Sequence, residues 1–138
     1  MKPRQLVRLA ISSVGPGAII LAYHRVADLD TDPQLLAVSR EQFEGQMKVL
    51  SERFKVIPLS DVLTRTKPSH TPRIAITFDD GYRDNLSYAA PILRKLDLPA
   101  TFFVSTGYIG EEREFWWDEL ESIMLHGELP HQLILNLP

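Results

Sequence analysis

The sequence predicts a parallel α/β fold, and three observations predict it. Apolar runs of strand length, Gly17 to Tyr23, Lys55 to Leu59, Arg73 to Phe78 and Ala100 to Val104, alternate with segments whose apolar residues recur at helical spacing. The connections are short, as in consecutive βα units. The third run ends in Asp79-Asp80-Gly81, which sets two carboxylates at the carboxyl end of a strand, where the chemistry of such folds gathers.

The elements follow in order. Gly17 to Tyr23 is continuously apolar, the pattern of a strand covered on both faces, and Asp28 to Pro33 is a polar loop. Ser39 with Gln42 three residues on forms a capping box, and Phe43, Met47 and Leu50 then line one face of a helix. Lys55 to Leu59 gives a second strand, Ser60 caps a small helix through Leu63, and a loop containing Pro, Thr and Lys runs to Pro72. After the third strand, Asp84 or Asn85 caps the next helix. Pro91 costs about 3 kcal/mol in a helix interior, so this helix starts near Ser87 or kinks there. Leu98-Pro99 stops it before the fourth strand. Phe115, Leu120, Ile123 and Met124 form a further stripe, with Trp116 and Trp117 at its start placed for core, lid or sugar-ring contacts, and residues 131–137 alternate like an edge strand.

At 138 residues the chain matches one domain or part of one, and is short for a closed barrel of about 250 residues. A net charge of −3 argues against nucleic-acid binding. With no cysteine, disulfides, thiolate metal sites and a cysteine nucleophile are excluded. Residues 1–16 read as a short basic helix and linker: Lys2, Arg4 and Arg8 are unopposed by acid before Gly15-Pro16-Gly17 breaks the segment. Any membrane contact is then peripheral, through residues 1–13, and there is no clear signal peptide or spanning segment, which favours a cytoplasmic or membrane-peripheral location.

Adjacent Asp residues before a Gly often do no more than end a strand or cap a helix. Held at a cleft by a turn at Gly81, however, Asp79 and Asp80 can divide labour between general base and ligand to a metal. Thr77-Phe78-Asp79-Asp80-Gly81-Tyr82, with Asn85, Pro91-Ile92-Leu93 and Leu98 to Val104, resembles the first motif of the polysaccharide deacetylase family, the NodB-like enzymes of carbohydrate esterase family 4. Ala22 to Val26 resembles that family's opening strand, and Phe43 to Leu63 its next helix, strand and helix.

The resemblance spans about residues 17–125 and implies the N-terminal part of an irregular (β/α) barrel with parallel strands. It implies a metal-dependent hydrolase that removes acetyl groups from an acetylated aminosugar polymer or oligosaccharide, acting on carbon–nitrogen bonds. Asp79 would be the catalytic base and Asp80 a ligand to a divalent metal, zinc by analogy. His24 and Tyr82 would contact substrate or support the site. The family's metal-binding His-[Ser/Thr]-x-x-His pair has no counterpart: His126 and His131 are five apart and flank Gly127 and Pro130, and His70 reads as an exposed loop residue. Residues 17–138 are therefore expected to be a partial deacetylase domain that stops before the histidine motif. The competing reading is an inactive fragment or glycan-binding module that keeps the half-fold. A magnesium site for phosphoryl or glycosyl transfer is weaker, because no glycine-rich cradle or basic clamp stands near Asp79.

Overall fold

A computed structural model describes residues 18–64 and 71–126. The basic segment 1–13, His70, His131 and the alternating run 131–137 lie outside the described residues. The chain divides into two units, Met1–Val104 and Ser105–Pro138.

The first unit is built on a parallel sheet. β1 (Ala18–Tyr23) pairs with β5 (Arg73–Phe78) along its whole length, from Ala18 opposite Arg73 to Tyr23 opposite Phe78. The other edge of β5 is shared: β4 (Lys55–Val56) pairs with its start and β6 (Thr101–Phe102) with its end. β2 (Arg25–Val26) and β3 (Ala37–Val38) form a separate parallel pair. All six β5 side chains are buried, the polar Arg73 and Thr77 among them, as expected of a central parallel strand. β1 departs from the expectation of two covered faces. Ile19, Leu21 and Tyr23 pack on the core while Ile20 and Ala22 are exposed, because among the described residues only one side of this strand is covered.

α1 (Arg40–Arg53) starts where its cap predicts. The Ser39 hydroxyl accepts from the Gln42 N–H at 3.2 Å, and Phe43, Met47 and Leu50 are the buried stripe. Together with Ile74, Ile76 and Phe78 of β5 and Leu93 they make one core. Phe43, Phe78 and Tyr23 meet with ring centroids 5.3 to 5.9 Å apart, edge-on or stacked. The Tyr23 hydroxyl donates to Gln46 Oε1 at 2.7 Å, and burial pushes its phenol up to about 12.

Three local expectations need correction. The strand at Lys55 is two residues long, and the turn after it (Leu59–Asp61) starts from Pro58, not from a Ser60 cap; Ser60 donates to Asp61 instead. The buried Arg73 guanidinium closes this turn by donating to the carbonyls of Asp61, Val62 and Thr64. The helix after β5 has no side-chain cap from Asp84 or Asn85. It begins as a π-helical segment, Asn85–Ala89, and continues as α2 (Ala90–Lys95), with Pro91 in the first turn of α2. The wider turn, with the Ala90 N–H reaching the Asn85 carbonyl, places the proline where its missing N–H breaks no bond.

In the second unit, α3 (Trp116–Glu121) runs on into a π-helical segment, Ser122–His126, with no buried residue in α3. Trp117 stacks on Phe115 at 4.6 Å, and Phe115 meets Tyr108 at 4.5 Å. Of the stripe read from the spacing, Leu120, Ile123 and Met124 are helical and exposed, whereas Phe115 precedes the helix and is partly covered by its ring contacts; Trp116 is exposed. No helix of the described residues is long and apolar enough to cross a membrane.

Candidate active site at the end of the central strand

The β1–β5 register fixes the site. Tyr23 lies opposite Phe78, so one residue further on His24 leaves β1 beside Asp79 leaving β5, and the Asp79 N–H still donates to the Tyr23 carbonyl at 2.9 Å. The chain then reverses within three residues, the Gly81 N–H donating to the Asp79 carbonyl at 2.9 Å. Asp80 at the centre of this turn has φ 69°, a left-handed conformation that a non-glycine residue adopts at a cost. Gly81 has φ 81°, and a Cβ there would lie 3.0 Å from Val104 Cγ1 and 3.3 Å from Val104 Cα, so glycine is required by both backbone and space.

The strained turn has a visible result. It brings Asp80 Oδ2 within 2.9 Å of His24 Nδ1, joining residues 56 positions apart. An ionised carboxylate only accepts, so Nδ1–H is the donor and Nε2 is the remaining ring nitrogen. Both side chains are partly open to solvent, at 31% and 22%. The Asp79 side chain, also half-buried, makes no hydrogen bond or ion pair among the described residues. The two adjacent carboxylates therefore differ: one is held by a histidine and the other is uncommitted.

A second carboxylate network lies just beyond. Asp84 is buried; its Oδ2 accepts from Arg25 Nε at 3.0 Å and its Oδ1 from the Val26 N–H at 3.1 Å. The Arg25 guanidinium lies 4.6 Å from the centre of the Tyr82 ring, which is where the structure places this sequence-selected aromatic. Local sequence signals mark Asp84 as a helix cap and do not mark Arg25, since their link spans 59 residues. Asn85 is buried, with neither side-chain polar atom partnered among the described residues. His126 falls at the end of the second unit's π-helical segment.

Among the described residues, no three His, Cys, Asp or Glu side chains are placed to hold one metal ion. His24 at the end of β1 and Asp79 and Asp80 at the end of β5 lie side by side, but one Asp80 oxygen is already bonded to His24. Catalytic zinc usually has three protein ligands, so these residues alone do not fit a metal centre.

A parallel sheet with an acid pair at the carboxyl end of its central strand defines an α/β protein with its candidate site at that strand end. The polysaccharide deacetylase family matches residues 66–130. The chain belongs to that family and corresponds to a partial, N-terminal segment of it. It is 34% identical over 110 residues to the poly-beta-1,6-N-acetyl-D-glucosamine N-deacetylase of Staphylococcus aureus, covering 69% of this chain and 38% of that protein. Among solved structures it resembles IcaB from Ammonifex degensii, with TM-score 0.61 and 30% identity over 72% of this chain and 43% of the other. The fold also matches the Streptococcus pyogenes deacetylase PplD, solved with acetate, with TM-score 0.60 and 24% identity over 80% and 53% of the two chains. The chain thus spans about two fifths of the length of the curated relatives it matches, and its α/β fold is the partial barrel of these deacetylases.

Proposed function

We propose that this chain carries the carboxylate half of a carbohydrate N-deacetylase centre, with Asp79 as general base and Asp80 as the carboxylate positioned by His24. The observation that carries the reading is the asymmetry of the acid pair: Asp80 is fixed to His24 at 2.9 Å, and the Asp79 carboxylate at the same strand end has no partner among the described residues. Amide hydrolysis needs a group that takes a proton from the attacking water and one that returns a proton to the leaving amine. Asp79, once ionised, is suited to the first task. Substrate-side support comes from His24 and from Tyr82 on the adjoining turn.

The substrate class is an acetylated aminosugar polymer or oligosaccharide, as in the name of the Staphylococcus aureus relative. A divalent metal, with zinc the first candidate, belongs to this reading with Asp80 as one ligand. Its other ligands are not among the described residues, and no step is assigned to the ion.

The test is a chimera in which residues 17–126 replace the segment they match in the Staphylococcus aureus deacetylase. Acetate release from N-acetylglucosamine oligomers is expected, falling by about 10³-fold or more in Asp79→Asn. A folded chimera whose turnover is unchanged by Asp79→Asn would refute the role of Asp79.

A further inference from the structure

A groove of about 570 Å³ lies in the first unit, lined by Arg25, Arg40, Tyr82, Arg83, Ser87 and Tyr88. Its arginines are set in a repeated arrangement. Arg25 gives its Nε to Asp84 at 3.0 Å and lies 4.6 Å from the centre of the Tyr82 ring. Arg40 gives its Nε to Asp28 at 3.1 Å and lies 3.7 Å from the centre of the Tyr88 ring. In each, a carboxylate takes the inner nitrogen and a ring takes one face. The terminal nitrogens, four of a guanidinium's five N–H donors, have no hydrogen-bond partner among the described residues. Arg83 is exposed and makes no hydrogen bond or ion pair among them. Three guanidiniums stand against the two carboxylates Asp28 and Asp84, which leaves the lining one charge positive.

We propose that this groove binds an oxyanion, carboxylate or phosphate, carried on a saccharide. Two guanidiniums already oriented by their Nε bonds present forks that match such a group and lose little freedom on binding it. With guanidiniums over both tyrosine rings, the groove offers charged donors in place of a bare stacking platform for a neutral sugar. Its volume falls within the range of small-molecule sites and exceeds what a lone ion fills. It adjoins the acid turn through both chain segments, since Arg25 follows His24 and Tyr82 follows Gly81, which corrects the expectation that no basic clamp stands near Asp79. The saccharide part of the proposal rests on the carbohydrate reading above, whereas the oxyanion part rests on the groove alone.

Calorimetric titration of the 138-residue chain with glucose, glucose 6-phosphate, glucuronate and inorganic phosphate reads binding without turnover, so its outcome is separate from that of the deacetylation test. Both anionic sugars should bind about tenfold or more tighter than glucose and than inorganic phosphate, and Arg83→Gln and Arg40→Gln should each remove about tenfold, the worth of one charge-assisted hydrogen bond. Arg83→Gln breaks no hydrogen bond or ion pair among the described residues, so its circular dichroism should match the parent. Arg25→Gln is a poorer probe because it strands the buried Asp84. Equal binding of glucose, or unchanged affinity for the anionic sugars in both variants, would overturn the proposal. Inorganic phosphate binding as tightly as glucose 6-phosphate would overturn its saccharide part.

Discussion

Asp80 and Asp84 are four positions apart and are used in opposite ways. Asp84 is buried, both its oxygens are bonded, and its partners are a permanently charged arginine and a backbone N–H. Asp80 is partly open, one oxygen is bonded to a histidine, and its backbone is held at φ 69°. The first arrangement stabilises the fold by tying β2 to the start of the following helix. The second holds a carboxylate on a strained turn, the feature on which its proposed site role rests. Asp79 sharpens the contrast further, since its carboxylate makes no hydrogen bond or ion pair among the described residues.

The largest expected effect comes from breaking the structural member. Asp84→Ala leaves Arg25 and the Val26 N–H without partners, and it should cost about 3 kcal/mol, a value reduced for the partial exposure of Arg25. A fall in the urea midpoint would measure it, and an unchanged midpoint would mean that the network is dispensable. Gly81→Ala comes next, at about 2 kcal/mol, because it meets both an unfavourable φ and the Val104 backbone. Asp80→Gly should behave differently. Relief of the left-handed backbone, worth about 1 kcal/mol, offsets the lost His24 bond, so stability should hold or rise slightly. A loss as large as that of Asp84→Ala would erase the distinction between the two carboxylates.

The last effect is alkaline. Burial raises the Tyr23 phenol from 10.0 to about 12, so between these values the unfolded chain has released a proton that the folded chain still holds. The stabilisation is fully present below pH 10, is lost as pH rises to about 12, and should be absent from this window in Tyr23→Phe. A matching alkaline slope in the variant would assign the effect to another group.

Much of this contrast was legible in the sequence, but not all. The α1 stripe of Phe43, Met47 and Leu50, the Ser39 cap and the β5 run ending in Asp79-Asp80-Gly81 depend on local periodicity and turn chemistry, which a sequence displays directly. The His24–Asp80 bond was half visible, since both residues were placed at strand ends but their contact depends on a register between distant strands. Asp84 was misread as a cap because the local preference of Asp for helix starts was outweighed by Arg25, far away in sequence. The π-helical entry to α2 was likewise hidden. Pro91 signalled a disturbance, but its resolution depended on how the whole segment packs behind β5.

The central claim is that one strand end gives adjacent carboxylates different tasks. Its most direct test is metal content and amine release measured together for Asp79→Asn and Asp80→Ala in the chimera with the Staphylococcus aureus deacetylase. Asp79→Asn should keep the metal of the unmodified chimera and lose turnover, while Asp80→Ala should lose both. Equal metal loss in the two variants, or turnover surviving in Asp79→Asn, would contradict the division of labour.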